Sequence, residues 1–222
     1  LVDAPLRLGD GRTALLLAVA FAALYFLTAG GHFYAYDDQQ KFDTLHMFLT
    51  NGSFAIRDGW AKGVGGQLFS WFPLGSSLIM LPGYVAGIVG GLFAPQSVPA
   101  SELARVAISF QNALISAATL AAVYLTSRLA GFRSRSAFGA VLLLGLGTMF
   151  WPYAKTAWSE PASTLLLFRG LIAVWRAEAK QGRGDTGSWL AAGAAFGGAF
   201  LIRQELILVA VAAGGWLAWR RR

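Results

Sequence analysis

The chain alternates long apolar runs with short charged segments, and this alternation restricts the folds that it can adopt. Several runs approach or exceed the roughly 18 residues that a helix needs to cross the apolar core of a bilayer. A backbone in lipid must satisfy its own hydrogen bonds, so these runs are expected to be helices. The runs lie at 13–29, 74–94, 106–129, 137–153, 161–175 and 188–219. The sequence therefore predicts an all-α integral membrane protein, a bundle of about five to six spans with a long outer loop that contains interfacial helices.

The charge distribution supports this class. Only 13% of the residues are charged, whereas soluble domains carry about a quarter. The net charge of +7 comes from basic clusters that lie between apolar runs, at 128–135, 176–183 and 220–222. Cytoplasmic loops have this distribution, so the basic charge does not indicate a nucleic-acid partner. The chain has no cysteine, which excludes disulfides and thiolate metal sites.

Basic residues also predict which side each loop faces. Arg7 and Arg12 precede the first run, which therefore begins inside and ends outside. The run 106–129 ends at a basic cluster, so it begins outside. The segment 31–101 is then expected to stay outside. Its apolar part, 74–94, is predicted to lie along the surface or to re-enter without crossing.

The last apolar run is too long for a single crossing. Residues 188–219 would form a helix of about 48 Å, whereas the apolar core is about 30 Å thick. Arg203, Gln204 and Glu205 lie in its middle. We expect the run to divide at Arg203 into two short helices with a polar hinge near the outer face.

The polar stretch 31–73 concentrates residues that could carry chemistry. It contains four aspartates and both histidines: Asp37, Asp38, Asp43, Asp58, His32 and His46. A helix is predicted over 37–51, because its apolar residues recur at helical spacing and Asn51-Gly52 ends it. A long polar loop beside a first span is typical of a functional segment. The isolated histidines do not have metal-ligand spacing.

The predicted topology places a set of acids and bases on the outer face: Asp37, Asp38, Lys62, Arg105, Lys155, Glu160, Arg203 and Glu205. Transfer to an acceptor hydroxyl needs a carboxylate base, and Lys and Arg stabilise a phosphate leaving group. Structural explanations exist as well. Asp37 and Asp38 suit a helix start, Arg105 and Lys155 suit lipid headgroups, and Glu160 suits the start of a helix.

Four stretches carry a resemblance to a known family: Tyr36-Asp37-Asp38, the loop from LTNGSFAIRDGW to GQLFSWFPLGSSLIMLP, SELARVAISFQNAL and WPYAKTAWSEPASTLLL. Together they resemble the GT-C superfamily of membrane glycosyltransferases, near the protein O-mannosyltransferase and lipid A aminoarabinose transferase branch. The family has Asp-Glu where this chain has Asp37-Asp38. It also has a lysine beside the proline, where this chain has Phe72 before Pro73.

The resemblance implies transfer of a sugar from a polyprenyl-phosphate donor to a glycan, lipid or protein acceptor. The site would lie on the outer face of a bacterial plasma (inner) membrane. Asp37 is expected to be the general base, and Asp38 and Glu160 to position the acceptor or assist as further acids. The residues expected to bind substrate are Arg105, Lys155, Lys62 and Tyr36. No cofactor is implied with certainty. Some relatives use a divalent metal, but no metal-ligand spacing occurs in this sequence.

The resemblance also implies a longer protein. Residues 1–222 are expected to form a single membrane domain, the N-terminal catalytic half, with an outer catalytic loop at 31–101 and a second outer loop at 154–160. Two other functions remain open. A transporter or flippase of lipid-linked sugars would use the same cations and the divided last run. A non-catalytic membrane assembly subunit is the third interpretation.

Overall fold

The computed structural model describes residues 6–179 and 186–220, in which helices are joined by short loops and one small hairpin. The helices are α1 (Leu8–Thr28), α2 (Tyr36–Asn51), α3 (Leu74–Leu78), α4 (Leu81–Gly91), α5 (Ala100–Leu129), α6 (Ser134–Gly147), α7 (Phe150–Ala154), α8 (Glu160–Ala179), α9 (Thr186–Ile202) and α10 (Ile207–Arg220). The hairpin pairs β1 (Ala61–Lys62) with β2 (Leu68–Phe69). Short 3₁₀ turns occur at Val64–Gly66 and Gln204–Leu206.

The long helix α5 is the centre of the bundle, with α1, α6 and α8 packed on it. The main core cluster contains Tyr25, Leu120, Tyr124 and Val141, all fully buried. Small side chains on the buried face of α5, such as that of Ala117, let neighbouring helices approach closely. This packing, with the apolar helices around it, is that of an all-α integral membrane bundle.

α1 lies antiparallel to the second part of α5. The ring of Phe26 stacks on that of Phe110 with centroids 5.1 Å apart. At the other end, Arg128 Nε donates to Asp10 Oδ1 at 2.7 Å. The first ten residues of α5 therefore extend beyond the end of α1, by about 15 Å at 1.5 Å per residue.

α4 packs on this extension. A Cβ atom at Gly87 would lie 2.3 Å from the Cα atom of Ala104, so the two backbones touch. Gln111 bonds both sides of the α3–α4 junction, since its Nε2 donates to the carbonyl of Ile79 at 2.6 Å and its Oε1 accepts from Gly83 N at 2.5 Å. Leu74–Gly91 is long and apolar enough to cross a membrane, as are α1 and α5. Its position beyond the end of α1 supports a surface location, which stays a prediction.

Most of the other predicted runs differ from the helices only at their ends. The run 137–153 is an exception: it is divided, because α6 ends at Gly147 and the backbone is extended at Thr148. The Thr148 hydroxyl donates to Leu144 O at 2.7 Å and accepts from Phe150 N at 3.1 Å, which stabilises the break. The predicted division of the last run at Arg203 is confirmed, since α9 ends at Ile202.

Candidate active site

A cavity of about 330 Å³ lies where the start of α2, the chain leading into α3, the start of α8 and the α9–α10 break meet. We call it the acid cavity. Its charged lining residues are Asp37, Lys41, Glu160, Arg203 and Glu205. Its aromatic lining residues are Trp71, Phe72 and Trp158. Residues from four separate parts of the sequence thus converge on one space of a size that suits a small ligand.

The first turn of α2 supplies one wall. Asp37 and Lys41 lie one helical turn apart and face the same way. The Asp37 side chain is partly exposed. Its carboxylate has no hydrogen bond or ion pair with another residue in 6–179 or 186–220. It is therefore available to accept a proton or a hydrogen bond from a ligand.

Asp38 is not among the residues that line this cavity and is fully buried. Its Oδ2 accepts from the Thr156 hydroxyl at 2.5 Å and from the backbone N–H of Ala157 at 3.3 Å. Its Oδ1 lies 3.5 Å from the ammonium of Lys41. Burial raises the pKa of Asp38, and Lys41 and the hydrogen bonds oppose this rise. Asp38 thus fastens the start of α2 to the segment that leads into α8.

Lys41 is a further cation of the acid cavity, and only 4% of it is exposed. Its ammonium lies 4.9 Å from the ring centre of Phe72. Lys41 lies one helical turn after Asp37, but the structure pairs it with Asp38. Sequence reasoning missed Lys41 as a site residue, and its helical spacing from Asp37 was the available signal.

The opposite wall is organised by Arg203, at the break between α9 and α10. Its guanidinium pairs with Glu160, the first residue of α8, and with Glu205. The Arg203 Nε donates to Glu205 Oε1 at 2.6 Å. The charge of Glu160 is therefore balanced by Arg203, whereas Asp37 has no such partner among the described residues.

The four residues predicted to bind substrate are not among those that line the acid cavity. Lys155 lines an adjoining cavity of about 310 Å³ that shares Trp158 with the acid cavity. Its other lining residues are mostly aromatic or apolar, among them Tyr34, Met149 and Tyr153. A lysine among such side chains suits the junction between a phosphate and a lipid chain.

Arg105, Lys62 and Tyr36 are not among the residues that line either cavity. Arg105 pairs with Glu102 at 2.5 Å and lies over the ring of Phe42. Lys62 is exposed on β1. The Tyr36 hydroxyl donates to the Asp58 carbonyl at 2.8 Å, and its ring stacks on Trp60. The structure thus brings Asp37 and Glu160 together and leaves these three outside.

The acid cavity does not suit a divalent metal. Among the described residues, no group of three or more His, Cys, Asp or Glu side chains is arranged to hold one. The guanidinium of Arg203 already balances the carboxylates of Glu160 and Glu205.

Comparison with known proteins identifies the family. The dolichyl-phosphate-mannose-protein mannosyltransferase family matches residues 101–222, which is 122 of the 222 residues. The chain belongs to this family. It is a membrane glycosyltransferase of the GT-C type, and the resemblance noted in the sequence is confirmed. The match covers α5 to α10, including Glu160 and Arg203, and begins after Asp37. Neither a curated protein nor a solved structure matches the chain.

Proposed function

We propose that this glycosyltransferase moves a sugar from a polyprenyl-phosphate donor to an acceptor hydroxyl on the outer face of a bacterial plasma membrane. The observation that carries the proposal is the acid cavity, in which Asp37 and Glu160 meet although 123 positions separate them in the sequence. We infer a lipid-phosphate donor from the family and from Lys41 and Lys155, which line the acid cavity and the adjoining cavity. The acceptor is a glycan, a lipid or a protein, each of which offers a hydroxyl.

Asp37 is the general base. A base must be within reach of the acceptor and must not be engaged by the protein. Asp37 meets both conditions, because it lines the acid cavity and has no partner among the described residues. Glu160 lines the same cavity but is paired with Arg203. It therefore acts as a fixed hydrogen-bond acceptor that orients the acceptor hydroxyl.

The reaction is a single displacement. Asp37 takes the proton of the acceptor hydroxyl, and the acceptor oxygen forms a bond to the anomeric carbon. The bond from that carbon to the phosphate oxygen breaks, and polyprenyl phosphate leaves with the electron pair. Attack opposite the leaving group inverts the anomeric centre, as the family implies. The proton on Asp37 then passes to water.

Two lysines are placed to stabilise the leaving phosphate. Lys41 has three N–H donors, and its one hydrogen-bond contact, with Asp38, is long at 3.5 Å. Because a buried ammonium is costly without partners, its remaining donors favour an oxygen ligand from the acid cavity. Lys155 reaches the lipid side of the phosphate from the adjoining cavity. The roles predicted for Arg105, Lys62 and Tyr36 stay predictions.

The catalytic unit in this proposal is residues 1–222, with the outer loop 31–101 supplying the base and the second outer loop 154–160 supplying Lys155 and Glu160. Asp38 contributes by holding α2 in place. The proposal therefore needs 31–101 and 154–160 on the same side of the membrane.

The test is turnover by the full chain in proteoliposomes supplied with undecaprenyl-phosphate hexoses and pentoses. Asp37→Asn is expected to lower kcat by about 10²- to 10⁴-fold, the usual contribution of a general base. Asp58→Asn is the matched control, because Asp58 is an exposed aspartate of the same outer loop. Unchanged turnover in Asp37→Asn would remove the proposed base. Transbilayer movement of the donor with its sugar bond intact would indicate a transporter instead.

A further inference from the structure

Glu160 is held by a residue that comes from the far end of the described chain. Arg203 lies in extended backbone between two helices, with φ −143° and ψ 108°. Its position is 43 residues after Glu160 in sequence. The pair is partly shielded from water, with 32% of the Arg203 side chain and 29% of the Glu160 side chain exposed. Ion pairs in such sites are screened less than those on the surface.

The break that carries Arg203 is itself held in place by α3. A Cβ atom at Gly75 would lie 2.3 Å from the carbonyl oxygen of Leu201 and 2.8 Å from the N atom of Ile202. Only glycine permits this approach of two backbones. The wall of the acid cavity formed by α3 and the break that delivers Arg203 are therefore packed as one unit.

Each of the three guanidinium nitrogens of Arg203 contacts a carboxylate. It contacts Glu160 on one side and Glu205 on the other, and 58% of the Glu205 side chain is exposed. A planar guanidinium that bridges two carboxylates fixes their directions better than a lysine would. The charged groups facing Arg203 in the cavity are Asp37, Lys41, Glu160 and Glu205. The direction of the guanidinium is therefore set by carboxylates of the protein.

We propose that Arg203 is a positioning residue that sets the direction of Glu160 across the acid cavity from Asp37. This inference rests on the proposed function, because Glu160 matters for turnover only if the acceptor binds beside it. The α9–α10 break is then part of the catalytic architecture. Arg203 acts on the reaction through Glu160 and does not itself contact the donor phosphate.

The first experiment separates kcat from KM. With the undecaprenyl-phosphate sugar that the unaltered protein uses, Arg203→Gln is expected to lower kcat about 10- to 100-fold, because small misplacements of reacting groups cost that much. The KM for the donor should change less than twofold. Arg203→Lys should restore part of the rate, and millimolar guanidinium chloride should partly rescue Arg203→Gln. Arg57→Gln, an exposed arginine of the outer loop, is the control.

The second experiment does not depend on activity. A double-mutant cycle of Arg203→Gln and Glu160→Gln, measured by unfolding in detergent, should be non-additive.

Three results would overturn the inference. One is an additive cycle. Another is a rise in the KM for the sugar donor without a loss of kcat, which would indicate that Arg203 binds the donor directly. The third is no rescue by lysine or guanidinium, which would indicate a purely structural ion pair. Absence of turnover in the unaltered protein, together with a non-additive cycle, would remove the proposed function and leave the Arg203–Glu160 coupling intact.

Discussion

Replacing Asp38 with alanine tests how the start of α2 is fastened to the rest of the bundle. The change removes three contacts of a fully buried carboxylate, made by the Thr156 hydroxyl at 2.5 Å, the Ala157 N–H at 3.3 Å and the Lys41 ammonium at 3.5 Å. The first two contacts join segments about 118 residues apart in sequence, whereas Lys41 lies three residues after Asp38 on α2. They also place Asp37, the next residue along the chain, at the acid cavity.

The expected cost follows from what remains after the substitution. Lys41, only 4% exposed, becomes a buried cation without a carboxylate partner. Breaking one side of a buried ion pair costs about 3–5 kcal/mol. The cost of leaving the Thr156 hydroxyl and the Ala157 N–H unpaired is not fully additive with the cost of breaking the ion pair, because the groups share one carboxylate. Asp38→Ala should therefore lower the free energy of unfolding by about 3–5 kcal/mol.

The adjacent aspartate is the matched control. Asp37 lies on the same turn and has no partner among the residues that the structure describes. Asp37→Ala should change the free energy of unfolding by less than about 0.5 kcal/mol, although it abolishes the proposed base. Unfolding of the two variants in detergent, titrated with a denaturing surfactant, gives the comparison. Equal stabilities of the two variants would refute the anchoring role of Asp38.

Two further predictions concern the packing of α3 and the pH dependence of stability. Gly75→Ala should separate α3 from the α9–α10 break, because the new Cβ would lie 2.3 Å from the Leu201 carbonyl oxygen. We expect the free energy of unfolding to fall by about 1–3 kcal/mol and turnover to fall as well. The control is Gly90→Ala, whose Cβ would have no atom within 4 Å. An unchanged stability would contradict this packing. Burial raises the pKa of Asp38 above its ordinary value of 3.8, so the unfolded chain releases this proton first as the pH increases. Stability should therefore fall with rising pH above 3.8 until the folded pKa is passed. Asp38→Asn should make the free energy of unfolding less dependent on pH in this range. An unchanged pH dependence would mean that another group causes it.

Much of the fold could be predicted from the sequence, because apolar length and breaker residues act locally. The helix α2 ends at Asn51, as the Asn51-Gly52 pair predicted, and Gly52 caps it with a φ of 65° that favours glycine. The division of the last run followed from its length and from Arg203. The break at Thr148 was not predicted, because it depends on two hydrogen bonds of one hydroxyl that hydropathy does not reveal.

The acidic residues of the candidate site could be predicted from the sequence, whereas its basic residues were predicted less well. The charge rule placed Asp37 and Glu160 on one face, and the structure brings them into one cavity. Which cation accompanies each acid depends on tertiary packing. Lys41 turns to Asp38, and Arg105 turns to Glu102 and Phe42. Both pairs are three residues apart on one helix, but spacing equally allows Lys41 to pair with Asp37, four residues away, so spacing alone does not determine the choice.

The central claim is that both outer segments of the site lie on the same side of the membrane. The chain has no cysteine, so single cysteines report accessibility without interference. In intact cells, a membrane-impermeant maleimide should label Val64→Cys in the hairpin turn and Gln96→Cys between α4 and α5. It should label Phe132→Cys, between α5 and α6, only after permeabilisation. Labelling of Gln96→Cys only after permeabilisation would put α3 and α4 across the bilayer and contradict the account.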